Sequence, residues 1–219
     1  KHIQSKKKSK IHLIQNKALE LSLFLTLPAS AALLIASEEI ISALFGYGSF
    51  DQVSAINSGK ALYYFALGLP AFSLIKVFSS FFFANHDTKI PFYISLFSVL
   101  TNIVISISYF NEIGFIIIPI ATTISSWLNA ILLFAFLKNG GLFSFNNIFL
   151  VRFIKIIIAS LLMAIFFNFL ITYFKYELAF NQNIKSFYLI LSVILSLLFY
   201  LFVSYWIKAF KTSDIKLKY

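Results

Sequence analysis

The chain contains no cysteine and only three scattered histidines, His2, His12 and His86. The missing cysteine excludes disulfides, thiolate metal ligands and a cysteine nucleophile, and the histidines lack the spacing of metal ligands. The sequence also lacks a glycine-rich phosphate loop, a Gly-x-Ser-x-Gly elbow and a His-Glu-x-x-His motif. We therefore predict no metal, no other cofactor and no enzymatic activity.

Charged residues are also scarce, at 12% of the chain, whereas hydrophobic residues make up 60% and the mean hydropathy is +0.88. Soluble proteins average about 25% charged and about 45–50% apolar residues. Too few polar residues remain to cover a water-facing exterior. The composition therefore predicts an integral membrane protein.

Long apolar runs organise the rest of the sequence. A helix needs about 20 apolar residues to cross the hydrocarbon core. Six segments meet this length, which predicts an all-α fold with six transmembrane helices: 19–45, 61–84, 91–110, 114–137, 150–174 and 186–207. The predicted organisation is a cytoplasmic basic segment (1–18), four spans (19–138), a cytoplasmic loop (139–149), two C-terminal spans (150–207) and a cytoplasmic tail (208–219).

The basic residues are distributed unevenly between the two sides of these spans. Only Lys60, Lys175 and Lys185 fall on one side, and Lys76 falls within a span, whereas the other basic residues share the side of the two ends. The positive-inside rule then places both ends in the cytoplasm. Basic helix ends facing anionic lipid account for the net charge of +10 without nucleic acid. Because the chain begins at Lys1 without an initiator methionine, we expect a piece of a longer protein.

Ionisable residues within the spans are candidates for function, because a charge in hydrocarbon costs several kcal/mol. Lys76 lies about 12 Å before the cytoplasmic end of its span, further than its side chain reaches. Two interpretations stay open: Lys76 faces a water-filled cavity, or it snorkels beside a locally thinned bilayer. Glu38 and Glu39 fall at the outer headgroup level, where we interpret them as interfacial rather than as a cation or proton site.

Two prolines lie inside predicted spans, Pro28 in the first and Pro70 in the second. Proline lacks an N–H, so each is predicted to kink its helix and to free a backbone carbonyl. At the third span, Asp87 or Thr88 is predicted to cap the helix before Pro91.

Small polar residues form stripes on the third and fourth spans. Helical spacing aligns one stripe on the third span and two on the fourth: Ser95, Ser98, Asn102 and Ser106; Ala121, Ser125 and Asn129; Thr122, Ser126 and Ala130. Such stripes favour close helix packing over a ligand or ion site. We select Asn102, Thr122 and Asn129, together with Lys76, as candidates for the substrate cavity or for lobe packing. The last two spans are aromatic, which suits either an isoprenoid chain or a lipid-facing surface.

Four segments resemble one known family. Residues 44–50 are LFGYGSF, residues 68–77 are GLPAFSLIKV, residues 82–91 are FFANHDTKIP and residues 121–130 are ATTISSWLNA. Together and in this order they are similar to the MurJ (MviN-type) lipid II flippase family. The resemblance carries motifs over about residues 18–138, whereas the last two spans match only in length and hydrophobicity.

The resemblance implies the last six of fourteen transmembrane helices. Four belong to the second lobe of the two-lobed, MATE-like fold of the multidrug/oligosaccharidyl-lipid/polysaccharide exporter superfamily, and two are family-specific. The implied function is to flip undecaprenyl-linked peptidoglycan precursor from the cytoplasmic to the periplasmic leaflet of the bacterial inner membrane by alternating access. The lipid tail would follow a groove of residues 150–207. The implied partners are lipid II, membrane lipids, upstream helices of the same polypeptide and cell-wall synthesis proteins.

Two other functions remain as alternatives. One is a polysaccharide-precursor or drug exporter of the same superfamily. The other is an isoprenoid-sugar membrane transferase, which would need a catalytic carboxylate, histidine or arginine in a loop or cavity. The predicted periplasmic loops offer only the isolated Asp51, Glu112 and Glu177.

Overall fold

The computed structural model describes the backbone of residues 2–209 and the side chains of residues 10–209. Seven α-helices occupy this part of the chain: α1 (His2–Ile35), α2 (Ser37–Phe45), α3 (Gln52–Ala84), α4 (Lys89–Ile113), α5 (Ile117–Asn139), α6 (Asn147–Tyr173) and α7 (Lys185–Trp206). A 3-10 turn, Gly114–Ile116, joins α4 to α5. The predicted all-α fold is confirmed over residues 2–209, where no strand is found.

Five continuous stretches in the described residues are long and apolar enough to cross a membrane: Lys10–Ile35, Gln52–Ala84, Lys89–Asn139, Asn147–Tyr173 and Lys185–Trp206. The third is 51 residues long and would extend about 77 Å as one straight helix, far more than a core of about 30 Å. The chain instead reverses at Gly114, which has a φ of 71°. Helix α5 then returns antiparallel to α4, so this stretch supplies two of the six predicted crossings.

The first predicted span does not continue to residue 45 as one helix. Helix α1 ends at Ile35, Ala36 has φ −123° and ψ 33°, and α2 begins at Ser37. Glu38 and Glu39 lie in the first turn of α2, where free N–H groups and the helix dipole favour carboxylates. The prediction of one uninterrupted segment was therefore wrong at Ala36.

Helix α3 packs against α1, α2 and α5, and α6 packs against α1 and α7. The approach of α2 to α3 depends on Gly59, because a Cβ at this position would lie 2.8 Å from Cα of Glu38. Glycine at a helix interface permits such close backbone approach. Helix α3 thereby links the α1–α2 segment to the α4–α5 hairpin.

The carbonyls freed by the two prolines are both bound by hydroxyl groups from neighbouring helices. Pro28 cannot donate to the carbonyl of Phe24, which instead accepts from the Tyr200 hydroxyl at 2.8 Å. Pro70 cannot donate to the carbonyl of Ala66, which accepts from Ser30 Oγ at 2.6 Å. Each proline therefore creates an acceptor that fastens another helix, α7 onto α1 and α1 onto α3. A role for Pro28 and Pro70 as hinges stays a prediction.

The turn before α4 follows its predicted chemistry, and glycine shapes the turn after α5. Asp87 Oδ1 accepts from the N–H groups of Lys89 and Ile90 at 3.0 and 3.2 Å, so Asp87 rather than Thr88 caps α4. After α5, Gly141 takes a φ of 62°, which glycine adopts without a steric penalty.

The α5–α6 connection is held by polar side chains of α1. Gln15 Nε2 donates to the Leu142 carbonyl at 3.1 Å, and Asn16 Nδ2 donates to the Ser144 carbonyl at 2.9 Å. Asn16 Oδ1 also accepts from the Asn146 N–H at 3.2 Å. The connection is therefore fixed to the side of α1.

Candidate functional site

Three of the four predicted cavity or packing residues lie together in a cleft between α4 and α5. The cleft has a volume of about 340 Å³, and Asn102, Thr122 and Asn129 are among its lining residues. Asn102 Nδ2 donates to Thr122 Oγ1 at 3.0 Å, and a weaker contact of 3.3 Å reaches Ser125 Oγ. The predicted stripes therefore face each other across the hairpin and hydrogen-bond between its helices.

Asn129 is the least satisfied member of this α4–α5 cleft. Its side chain is 7% exposed, and Nδ2 reaches Ser95 Oγ only at 3.5 Å. Its Oδ1 is buried and has no hydrogen-bond partner within the described residues. Because buried polar atoms in folded proteins are nearly always paired, this oxygen is available to a donor.

Lys76, the fourth candidate, stands apart from this cleft. Its side chain is exposed on α3, and only the neighbouring Ile75 lines the cleft. Exposure on a membrane-crossing helix fits both a water-filled cavity and a snorkelling lysine. Both interpretations of Lys76 remain.

An apolar groove runs between α1, α6 and α7. This α6–α7 groove has a volume of about 240 Å³ and includes Pro28 and Tyr200. Its lining residues are Phe24, Leu25, Pro28, Ala29, Ala32, Met163, Phe167, Val193, Ser196, Leu197, Tyr200 and Leu201. Its lining is apolar apart from two hydroxyls. A hydrocarbon chain can enter it without stranding polar groups.

A second groove lies on the other side of α6, between α1, α3 and α5. Its volume is about 320 Å³, and every lining residue is apolar or aromatic: Leu19, Leu23, Leu27, Pro70, Leu74, Phe78, Trp127, Ala130, Ile131, Phe134, Phe145, Phe149 and Phe153. Trp127 Nε1 donates to the Leu67 carbonyl at 3.0 Å, so its polar atom turns away from this apolar space.

An ion pair that the sequence does not predict joins α1 to α6. Arg152 Nη1 donates to Glu20 Oε1 at 2.8 Å, and the two side chains are 16% and 6% exposed. The charge distribution along the sequence predicts Arg152 to be a cytoplasmic surface charge, and it does not single out Glu20. The sequence nevertheless contains an indication of this pair. Arg152 is the only arginine in a lysine-rich chain, and a guanidinium is suited to a buried pair with a carboxylate.

Lys185 is also buried, whereas the charge distribution along the sequence predicts a surface residue. It is 2% exposed, and its Nζ donates to the carbonyls of Gly46 and Phe180 at 2.7 and 2.6 Å. The same Nζ lies 4.5 Å from the ring centroids of Tyr47 and Phe180. Tyr47 also hydrogen-bonds Ser186 at 2.6 Å, so the start of α7 is fastened to the end of α2.

Within residues 2–209, six helices long and apolar enough to cross a membrane, two apolar grooves and a polar cleft define a multi-pass helical membrane protein. The family model described as "Lipid II flippase MurJ" matches residues 1–189. The chain therefore belongs to the lipid II flippase MurJ family, and the resemblance noted from the sequence is confirmed.

Individual relatives agree with this assignment. A probable lipid II flippase MurJ of Rhizobium meliloti (strain 1021) is 40% identical over 151 residues, covering 69% of this chain and 28% of the relative. The lipid II flippase MurJ of Thermosipho africanus (strain TCF52B) is 28% identical over 189 residues, covering 86% of this chain and 36% of the relative. The chain thus spans about a third of the length of such relatives.

A solved structure shares the fold. It is titled "Lipid II flippase MurJ, inward closed conformation", and it superposes with a TM-score of 0.72 at 26% identity. The match covers 91% of this chain and 40% of that chain. The arrangement of the described helices is therefore that of the family.

Proposed function

We propose that this chain provides the C-terminal six helices of a lipid II flippase of the bacterial inner membrane. The flippase carries the undecaprenyl-linked precursor from the cytoplasmic to the periplasmic leaflet by alternating access, and it makes no covalent bond. The family match over residues 1–189 supports this assignment. The basic ends of the chain face the cytoplasm, as the positive-inside rule requires.

The observation that carries the proposal is the α6–α7 groove. Its apolar walls accept an isoprenoid tail from the membrane, whereas the polar headgroup stays among polar groups elsewhere. In this arrangement, α1 and the last two helices guide the tail. The α4–α5 cleft, with Asn102, Thr122 and Asn129, then faces either the central cavity or the opposing lobe.

Depletion of the protein in its own host tests the function. We expect lipid II to stop appearing in the outer leaflet, and its continued appearance would sink the proposal. Two variants, each expressed in the depleted cells in place of the unaltered protein, test the groove. Ala29→Trp fills it and is expected to abolish flipping. Ile165→Trp adds similar bulk to an exposed position of α6 outside the groove and is expected to complement fully.

A further inference from the structure

A second polar cavity lies where α2 and α3 meet the α6–α7 connection. Its volume is about 230 Å³, and its polar side chains come from all three segments: Glu38, Glu39, Ser42, Gln52 and Lys175. Helix α2 follows directly after the apolar segment of α1, so the cavity lies at the level of lipid headgroups. It is separate from the α4–α5 cleft and from both grooves.

The charges in this headgroup cavity are not paired with one another. Within residues 10–209, neither Glu38 nor Glu39 forms an ion pair with Lys175. The neighbouring ammonium of Lys185 is already bonded to two backbone carbonyls. The pKa of the Glu39 carboxyl is raised, mainly because burial penalises its ionised form. A hydrogen bond from its own backbone N–H lowers the pKa in part, and the negative charge of Glu38 raises it further. A cation beside Glu39 would offset the penalty on the ionised form.

Ser42 supplies an independent sign of a missing partner. It is 5% exposed, lines the cavity, and its Oγ has no hydrogen-bond partner within the described residues. Ser42 is three positions after Glu39, so the hydroxyl and the carboxylate share one face of α2. A buried hydroxyl of this kind normally has a partner, and a ligand in the cavity would provide it.

We propose that this cavity binds the phosphoethanolamine headgroup of a membrane phospholipid. The ammonium group meets Glu39 and Ser42 of α2, and the phosphate meets Lys175 of the α6–α7 connection. A lone metal ion fits less well, because the lysine would repel it and because the cavity is several times the volume of about 30 Å³ that one water occupies.

The cavity also distinguishes ethanolamine from choline. A quaternary ammonium cannot donate hydrogen bonds, and it is recognised mainly by free aromatic faces. Here the ring of Phe180 already has Lys185 Nζ at 4.5 Å from its centroid. A primary ammonium with three N–H donors matches the carboxylate and the hydroxyl.

The test measures which lipids the protein retains. The protein is purified from its own host at the full length that the host produces. The detergent-solubilised protein is incubated with an equimolar mixture of phosphatidylethanolamine, phosphatidylcholine and phosphatidylglycerol of identical chains, and retained lipid is counted by native mass spectrometry. We expect an approximately tenfold preference for phosphatidylethanolamine, which is the size of one charge-assisted hydrogen bond.

Four variants separate the contacts. Glu39→Gln should bring retention of the ethanolamine lipid close to that of the choline lipid, and the nearly isosteric Ser42→Ala should weaken the preference. Lys175→Gln should lower retention of all three lipids alike, whereas Glu112→Gln, at an exposed carboxylate on α4, should change nothing. Equal retention of ethanolamine and choline lipids by the unaltered protein would overturn the proposal, as would an unchanged preference in a folded Glu39→Gln variant.

Discussion

The Tyr200 hydroxyl donates to a carbonyl that lost its helical donor because residue 28 is proline. Tyr200→Phe removes this donor and keeps the ring, which packs on Phe24 with centroids 5.0 Å apart. Removing the partner of a buried acceptor costs about 1–3 kcal/mol. We expect the free energy of unfolding in mild detergent, measured by denaturant titration and circular dichroism, to fall by about 2 kcal/mol.

The same substitution in a Pro28→Ala background tests whether the proline is the cause of this cost. Pro28→Ala restores an N–H that can donate to Phe24 in the ordinary helical pattern. In that background Tyr200→Phe should cost less than about 0.5 kcal/mol, so the two changes are coupled. Tyr205→Phe, at an exposed position of the same helix, is the matched control. An equal cost of Tyr200→Phe in both backgrounds would refute the explanation.

Two further changes test contacts between helices by the same measurement. Glu20→Gln removes the carboxylate charge that faces Arg152. We expect the free energy of unfolding to fall by about 3–5 kcal/mol, as for other buried ion pairs that lose one partner. A fall of less than about 1 kcal/mol, which is typical of surface pairs, would contradict the burial argument. Gly59→Leu forces α3 away from the Glu38 backbone and should cost about 1–3 kcal/mol, whereas Gly48→Ala, at a position with open space around it, tests only backbone strain. Wild-type stability of Gly59→Leu would show that α2 is free to move aside.

The positions of the crossings were predictable because the bilayer fixes the length of an apolar helix. The cap of α4 was predictable because it depends only on neighbouring residues. Asp87 accepts from N–H groups two and three residues further along the chain. The stripes on α4 and α5 also predicted which faces meet, since helical spacing determines a face without any tertiary information.

Contacts between distant segments could not be predicted in the same way. Lysines at the ends of apolar runs normally meet headgroups, so nothing local indicated that Lys185 would be buried against Gly46, 139 residues away. Arg152 and Glu20 are 132 residues apart, and their pairing depends on how α6 lies on α1. The break at Ala36 was missed because the residues on both sides of it favour helix.

Because α1 is long, a bend at Pro28 would displace the N-terminal part of this helix. From Pro28 back to Lys10 the helix extends about 27 Å, so a change of direction of about 10° at the proline would move the Lys10 end by about 5 Å. Gln15 and Asn16 lie in this part of α1 and hydrogen-bond the connection that leads into α6. A small bend at Pro28 would therefore move the connection at the start of α6. Tyr200 is hydrogen-bonded to α1 at the position of this bend.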